Sequence, residues 1–390
     1  MNNTLGRILI IAGDNTCFDA MNEFALSFDD ELRNRGYESN IKNIYDLNQT
    51  MLNELVSERY KAIVGFQTNL FTLEISENLY VGNLISVPKY NYILDPPATK
   101  RSYFDPHIKG LTYFYHDLGY VSYIKKYFPH CRVMYGAPGG GVSGKDYMGN
   151  GKDRSLNLSF IGTYSNYRDI LKNAYNDKPE WAEIIEAFFE FLVKNPNTSA
   201  ESAIEDFADI NSLDISFKEL PVLLEILFAS ENAAKSYYRE KIVKTIIDSG
   251  LDIDVFSRTW EAVPFASNNK LRIHSDISYR KSMEIMADSN ISLNVFSWHK
   301  ASMTERIANI MLNGAVCLSD RSSLLIDLFD DNKDIVLYEL DRLEDLPEKI
   351  IKLTNDNELR INIANAGNCK AIINHRWQNR VDDFIRIMEN

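Results

Sequence analysis

The residues with the clearest potential for chemistry lie within 291–320, where a polar loop joins an apolar run to an amphipathic helix. The spacing predicts that helix over 302–313, with Ser302 as N-cap and Glu305 completing a capping box. Arg306 falls in the first turn, where a cation opposes the helix dipole and so favours a negative ligand. A helix N-terminus that follows a strand is a common site for phosphate. The segment predicts an anion site, although a capping box with a solvated arginine fits the same residues.

Two neighbours extend this candidate site. Lys300, in the loop before the helix, is a second cation for a diphosphate, or simply a solvated lysine. Asn309 lies one turn after Glu305 and Arg306 and shares their face. These two residues add potential binding groups near the start of the helix, but they do not identify the ligand.

A second candidate lies near the amino terminus. Asp14 directly follows the apolar run 7–12 and the turn residue Gly13, which places it at the carboxyl end of a predicted strand. Catalytic groups of open α/β sheets converge at that edge, so Asp14 is predicted as a general base. Capping of the next helix is the equal alternative. Asp95 and the pair His116–Asp117 are weaker cases of the same geometry.

Two motifs are set aside. The segment 139–146, GGGVSGKD, has phosphate-loop spacing, but Asp146 stands where Ser or Thr would bind Mg²⁺ and no apolar helix follows, so a flexible interdomain connection is predicted. Asp252 and Asp254 form a D-x-D pattern at the wrong end of a strand and are interpreted as solvated. The six histidines lack metal-ligand spacing, and the four cysteines are interpreted as reduced and structural. No metal site is predicted.

Composition narrows the class of protein. A chain of 390 residues with 45% hydrophobic and 25% charged residues is globular and long enough for two domains. The formal charge of −13 argues against a nucleic-acid partner and against an anionic membrane surface, since both need basic patches. No run is long enough to span a membrane, and no signal-peptide pattern opens the chain. A cytoplasmic protein without stable membrane insertion is predicted.

The order of apolar runs predicts an α/β fold with parallel sheets, because strand-like and helical patterns alternate. The chain divides into a first domain over 1–150 and a second over 151–370. A long helical insertion occupies about 169–250, and a final helix lies in 371–390. Two Rossmann-like, doubly wound domains facing a cleft are the simplest architecture. Strands are predicted over 7–12, 60–66, 90–94, 111–115, 132–135, 156–161, 253–256, 291–296, 315–318 and 335–338.

Residues 291–340 resemble the GT-B glycosyltransferases, in the bacterial branch whose group-1-like carboxyl-terminal domain binds the donor and which includes spore-maturation glycosyltransferases. The resemblance extends weakly to 160–164 and 375–380, and to Asp95-Pro96 and the helix over 120–128. Relatives often have histidine where this chain has Thr304, and the wider superfamily commonly has a ribose-binding glutamate where Asn309 stands. The matching pattern consists of Leu293, Asn294, Val295, Trp298, Lys300, Glu305, Arg306, Asn309, Met311, Asn313, Gly314 and Asp320.

This resemblance implies a nucleotide-sugar donor in the carboxyl-terminal domain, a protein or glycan acceptor in the amino-terminal domain, and no required metal or other cofactor. It also implies that the last helix returns to the amino-terminal domain. A non-catalytic ligand-binding protein and a nucleotide-sugar epimerase or hydrolase on the same scaffold are the alternatives. The implied donor-binding residues are Gly162, Thr163, Ser297, Lys300, Ser302, Thr304, Glu305, Arg306 and Asn309.

Overall fold

The structure, a computed structural model, describes residues 5–13, 16–57, 59–144, 154–296 and 298–390, without the side chains of 16–18. Contacts divide the chain into two compact units. Unit 1 comprises Met1–Gly139 together with His375–Asn390, and unit 2 is Gly140–Asn374.

Unit 1 is built on a parallel sheet of six strands, with helices and turns between them. Its central strands are buried along their whole length, which explains their continuous apolar sequences. The strands are β1 (Arg7–Ala12), β2 (Glu38–Asn43), β3 (Ala62–Phe66), β4 (Glu74–Ser76), β5 (Leu79–Tyr80), β6 (Lys89–Ile93), β7 (Leu111–Tyr115) and β8 (Arg132–Tyr135). The helices are α1 (Thr16–Asn34), α2 (Gln49–Leu55), α3 (Val81–Leu84), α4 (Arg101–Phe104) and α5 (Leu118–Tyr127).

The strand order of this sheet is β2-β1-β3-β6-β7-β8, and β4 and β5 form a separate antiparallel pair. The chain starts at β1, builds one strand outward to β2, and then builds in the other direction from β3. The order therefore reverses between β1 and β3. In open α/β sheets ligands bind at such a switch point, outside the carboxyl ends of the strands.

Unit 2 also contains a six-stranded parallel sheet, in the order β11-β10-β9-β12-β13-β14, so its switch point lies between β9 and β12. The strands are β9 (Leu156–Phe160), β10 (Ile253–Phe256), β11 (Leu271–His274), β12 (Ser289–Asn294), β13 (Val316–Asp320) and β14 (Val336–Tyr338). The helices are α6 (Tyr167–Asp177), α7 (Ala182–Lys194), α8 (Ala200–Ile210), α9 (Leu220–Ile226), α10 (Phe228–Asp248), α11 (Tyr279–Ala287), α12 (Glu305–Leu312), α13 (Ser323–Leu328), α14 (Leu346–Asn355) and α15 (Asn357–Asn374).

The last helix, α16 (Trp377–Glu389), packs on α1 within unit 1. Its apolar stripe meets aromatic side chains: the Trp377 ring lies 5.2 Å from that of Phe24, and the Phe384 ring lies 5.1 Å from that of Phe28. Arg35 adds an ion pair to Asp382 at 2.5 Å. Burial of this stripe is what the predicted last helix requires.

The predicted α/β class with two parallel sheets is confirmed. The bounds of the units differ in detail from the predicted ranges. The first segment of unit 1 ends at Gly139 rather than at 150, and unit 1 also includes the chain from His375 onward. Among the described residues, no helix is long and apolar enough to cross a membrane.

Candidate functional site

The candidate site of unit 2 lies at its switch point, where the loops after β9 and β12 emerge side by side because these two strands pair directly. Gly162 and Thr163 follow β9, and Lys300 to Arg306 follow β12. The structure therefore brings most of the predicted donor-binding residues to one edge of the sheet. Ser297 lies outside the described residues.

The start of α12 differs from the prediction. The helix begins at Glu305, with Thr304 in the N-cap position and without a side-chain capping bond. Ser302 is fully buried, and its carbonyl accepts a hydrogen bond of 2.6 Å from the Ser322 hydroxyl. The predicted capping box at Ser302 and Glu305 is wrong, because packing against α13 holds Ser302 before the helix starts. The Thr304 side chain accordingly leaves the early N–H groups of α12 without a capping bond.

Arg306 stands in the first turn of α12 and is partly buried. Within the described part of the chain it makes no ion pair and no hydrogen bond through its side chain. Glu305 is the acidic residue of that turn. Lys300 is partly buried, and its carbonyl accepts a hydrogen bond of 2.9 Å from Ser323 N. A partly buried guanidinium at an uncapped helix start is suited to an anionic ligand.

The loop after β9 is held through its carbonyl groups. Trp260 Nε1 donates to Gly162 O at 2.8 Å, and Arg239 Nη1 donates to Thr163 O at 2.9 Å. Tyr164 N donates to Thr259 Oγ1 at 2.8 Å. Gly162 and Thr163 thus have a fixed backbone at the switch point. Sequence reasoning missed Arg239 because it belongs to the helical insertion, far along the chain from either loop.

Asn309 has a different role from the predicted one. It is 2% exposed, its Oδ1 accepts from Gly141 N at 2.8 Å, and its Nδ2 donates to Tyr279 OH at 3.1 Å. Asn313 holds the same glycine segment through Ser143 N at 2.8 Å. A Cβ on Gly140 would lie 2.7 Å from Ala308 Cβ, so glycine permits this close approach to α12. Residues 140–143 are consequently bound to α12 rather than forming a free connection, and Asn309 is occupied.

Buried polar contacts fix the strand ends below the site. Asp320 is fully buried and its Oδ1 accepts from Phe296 N at 2.7 Å. Asn294 Nδ2 donates to Ser319 Oγ at 2.9 Å, and Tyr338 OH donates to Asn294 O at 2.9 Å. Satisfied buried polar groups rigidify their surroundings. The residues of the sequence pattern at 294 and 320 therefore position the loop that leads to α12.

The carboxyl edge of unit 1 is organised around Gly13 and Gln67. Asp14 lies outside the described residues, so its position stays a prediction. Gln67 has a left-handed backbone with φ of 54°, and its side-chain amide donates to the Asp95 carboxylate. Lys100 Nζ pairs with the same Asp95 oxygen at 3.0 Å, and the Asp95 side chain is 44% exposed. Asp95 is therefore presented at this edge on a fixed support.

The other two weaker candidates of unit 1, His116 and Asp117, are engaged in structural contacts. Asp117 is buried and caps α5, accepting from Gly119 N at 2.7 Å. His116 is also buried and its Nε2 lies 3.0 Å from Leu94 O. Both residues have structural roles that leave little access for a substrate.

The D-x-D pattern is not a solvated pair. Asp254 is 2% exposed inside β10 and accepts from Arg272 Nη2 at 2.8 Å, while His274 Nε2 lies 2.8 Å from its other oxygen. Burial pushes the pKa of Asp254 upward, but hydrogen bonds from Arg272 and His274 outweigh it and keep that pKa below its usual value. The carboxylate joins β10 to the edge strand β11. Among the described residues, no group of three or more His, Cys, Asp or Glu side chains is arranged to hold a metal ion.

Comparison with known proteins identifies the fold. Residues 239–386 match the family model described as glycosyl transferase-like. An alpha-glucosyltransferase in complex with UDP-glucose and DNA containing an abasic site superposes with a TM-score of 0.57 at 12% identity, over 98% of this chain and 99% of that chain. T4 phage BGT in complex with UDP-glucose gives a TM-score of 0.55 at 11% identity, over 98% of this chain and 99% of that chain.

A third solved structure, sucrose-phosphate synthase from Thermosynechococcus elongatus, gives a TM-score of 0.56 at 8% identity, over 98% of both chains. No curated protein sequence matches this chain. The predicted GT-B fold is confirmed, and the family model matches within the carboxyl-terminal half, where the group-1-like domain is predicted. The spore-maturation branch stays a prediction.

One partner prediction is wrong. The net charge predicts no nucleic-acid partner, yet alpha-glucosyltransferases of this fold are bound to DNA in several of the matching structures. The physical reason is that net charge sums the whole surface, whereas nucleic-acid binding depends on local clusters of basic residues. A charge of −13 therefore does not exclude that class of acceptor.

Proposed function

We propose that this protein transfers a sugar from a nucleotide-sugar donor to a hydroxyl group of an acceptor, because residues 239–386 match the glycosyl transferase-like family model on a chain with the GT-B fold. The observation that carries the proposal is Arg306, a cation without an ion pair among the described residues, at the start of α12 and beside the switch point of unit 2. The donor diphosphate is the ligand that this arrangement suits.

In the proposed reaction the acceptor hydroxyl forms a new bond to the anomeric carbon, and the bond from that carbon to the diphosphate breaks. The electron pair goes to the diphosphate, so negative charge develops there. The N–H groups of α12, Arg306 and Lys300 stabilise this charge, and oriented donors of this kind act most strongly on the transition state. Asp14 takes the proton from the hydroxyl if configuration is inverted.

The proposed transferred sugar is glucose or another hexose. The reaction is also proposed to need no metal ion. The reason is that Arg306, Lys300 and the helix N-terminus supply positive charge where a divalent cation would otherwise act. Turnover that survives excess EDTA supports this point. Turnover that is lost with EDTA and restored by Mg²⁺ or Mn²⁺ contradicts it while leaving glycosyl transfer intact.

The acceptor is proposed to be a macromolecule that bears hydroxyl groups. Protein and glycan acceptors follow from the sequence resemblance, and nucleic acid enters because glucosyltransferases of the same fold bind DNA. A screen should therefore include duplex DNA containing 5-hydroxymethyl bases beside proteins and oligosaccharides. The class that gains labelled sugar defines the acceptor.

The first experiment is a thermal-shift screen of nucleotides and nucleotide sugars, since a ligand that binds only the folded state raises its melting temperature. UDP-glucose is the first donor to test, and donor turnover is then followed with and without acceptors. Acceptor-dependent turnover supports transfer. Nucleotide binding without turnover favours a binding protein, and equal turnover without an acceptor favours a hydrolase or an epimerase.

A further inference from the structure

The helical insertion reaches both loops of the unit 2 switch point through α10. Lys235 and Arg239 are four residues apart and share one face of this helix. Lys235 Nζ lies 3.7 Å from the ring centroid of Trp298, in the loop after β12, while Arg239 Nη1 donates to Thr163 O at 2.9 Å, after β9. One helix of the insertion therefore presents two cations to the edge that carries the candidate site.

In the part of the chain that the structure describes, no carboxylate forms an ion pair with Arg239. Within the described residues its Nη1 donates to the Thr163 carbonyl, and its Nε is buried without a hydrogen-bond partner. Burial lowers the pKa of Arg239 to about 9, and the positive charge of Arg306 is the next cause, while Asp320 opposes the shift. Arg306 likewise makes no ion pair among those residues. Two partly buried guanidinium groups that repel each other are costly unless an anion joins them.

We infer that Arg239, supplied by the helical insertion, is a second binding residue for the donor diphosphate, opposite Arg306 across the switch point. The inference rests on the proposed function. A diphosphate bears several negative oxygens, so two guanidinium groups can each bind it through short charge-assisted hydrogen bonds. The insertion then has a role in the site as well as in packing, and Lys235 keeps Trp298 next to α10.

The alternative is that Arg239 only holds the loop after β9. Glu240 provides a matched control for that role, because its Oε2 accepts from Tyr164 OH at 2.7 Å in the same loop. Glu240→Gln weakens this support without removing a cation. Lys244→Ala, on the same helix but exposed and paired with Asp248, controls for lost positive charge.

The test measures the affinity of wild type and variants for UDP, for uridine and for inorganic pyrophosphate by calorimetry. Arg239→Ala should weaken UDP and pyrophosphate binding by about 10- to 100-fold and leave uridine binding within twofold, because uridine carries no phosphate. Glu240→Gln should weaken UDP and uridine by the same small factor, and Lys244→Ala should change neither. Arg239→Lys, which keeps the charge, should retain part of the UDP affinity and serves as the readout if the alanine variant does not fold.

The inference is overturned if Arg239→Ala, or Arg239→Lys where it is the variant that folds, binds UDP within twofold of wild type. It is also overturned if that variant loses UDP and uridine affinity by one common factor, which is the signature of a loop clamp. Wild-type protein that binds neither UDP nor pyrophosphate overturns the proposed function as well. If wild type binds UDP and the Arg239 variant binds it equally well, only this inference is overturned and the proposed function stands.

Discussion

The two sheets have the same number of parallel strands but different switch points, and the two points carry different chemistry. Between β9 and β12 in unit 2, the edge is cationic, with Arg306 in the first turn of α12 and Arg239 on Thr163 O. Between β1 and β3 in unit 1, the loops are closely packed, and the Gln67 side chain after β3 donates to the Asp95 carboxylate after β6. A Cβ on Gly13 would lie 2.1 Å from Phe66 O, so only glycine fits there.

This difference suits the two sheet edges to different steps of one reaction. Cations suit a diphosphate that gains charge as it leaves, and carboxylates suit a hydroxyl group that must lose its proton. Residues with left-handed backbones, such as Gln67, persist where surrounding structure holds them and concentrate at functional sites. We propose on this basis that unit 2 binds the donor and unit 1 activates the acceptor, and each proposal can be tested separately.

The largest expected effect is on the unit 1 side. Asp14→Asn should lower the turnover number by about 10²–10⁴-fold, the usual cost of losing a general base. UDP affinity should stay within twofold of wild type, because the proposed donor site belongs to unit 2. Initial rates with a labelled nucleotide sugar, together with calorimetric titration of UDP, measure the two quantities.

Near-normal turnover of Asp14→Asn would move the base elsewhere or indicate retention of configuration without a protein base. Asp95 would then be the next residue to change, because Asp117 caps α5 and His116 is buried. Asp105→Asn is its matched control, since Asp105 is similarly exposed at 48% and pairs with Arg101 at 2.7 Å.

Much of the fold could be predicted because the central strands are continuous apolar runs. β1, β7, β8 and β10 have the predicted bounds, and other predicted strands shift by one to two residues at their ends. The strands that were missed in the two large sheets are β2 and β11, which lie at sheet edges. Edge strands are less buried, so ESNIKN in β2 and LRIH in β11 lack the apolar signal.

The site could be predicted only where its residues are close in sequence. Arg306 and Thr163 follow strands directly, so local pattern locates them at the carboxyl edge. The contact of Asn309 could not be predicted, because its partner, Gly141, is far away along the chain. Arg239 was missed for the same reason, since a basic residue on a long helix is ordinarily solvated. Local sequence spacing does not reveal contacts between distant segments of the chain. These contacts determine which polar side chains remain available for a ligand.

The next effect tests the cationic switch point. Arg306→Ala should weaken UDP binding by about 1.5–3 kcal/mol, the scale of a hydrogen bond to a charged group. Folding should change little, because Arg306 makes no ion pair among the described residues. Calorimetric titration of UDP measures the affinity, and a thermal scan without ligand measures the stability.

Lys352→Ala is the control for Arg306→Ala, because Lys352 is an exposed cation on α14. Its UDP affinity should equal that of wild type at one fixed salt concentration. If Arg306→Ala and Lys352→Ala had the same UDP affinity, Arg306 would not be a diphosphate-binding residue, and the proposed difference between the two sheet edges would lose its main support.

The smallest effect concerns how each edge strand is attached. In unit 2, Asp254 is buried and joins β10 to Arg272 and His274 of β11, whereas in unit 1 Arg7 and Glu38 join β1 to β2 through an exposed pair. Asp254→Asn should lower the free energy of unfolding by about 1–2 kcal/mol at pH 7, because the amide replaces a buried acceptor of charged bonds. Glu38→Gln should have no measurable effect, since exposed pairs contribute little.

The pH dependence of Asp254→Asn gives the sharper test. The pKa of Asp254 is lower in the folded than in the unfolded protein, so its contribution is present above the unfolded value of about 3.9 and is lost as pH falls through the folded value. The difference in melting temperature between wild type and Asp254→Asn should therefore persist as pH is lowered from 7 to about 4 and shrink over the range from about pH 4 toward about pH 2. A constant difference over that range would mean that packing of the side chain, rather than its charge, attaches β11, and the two edge strands would then differ in burial alone.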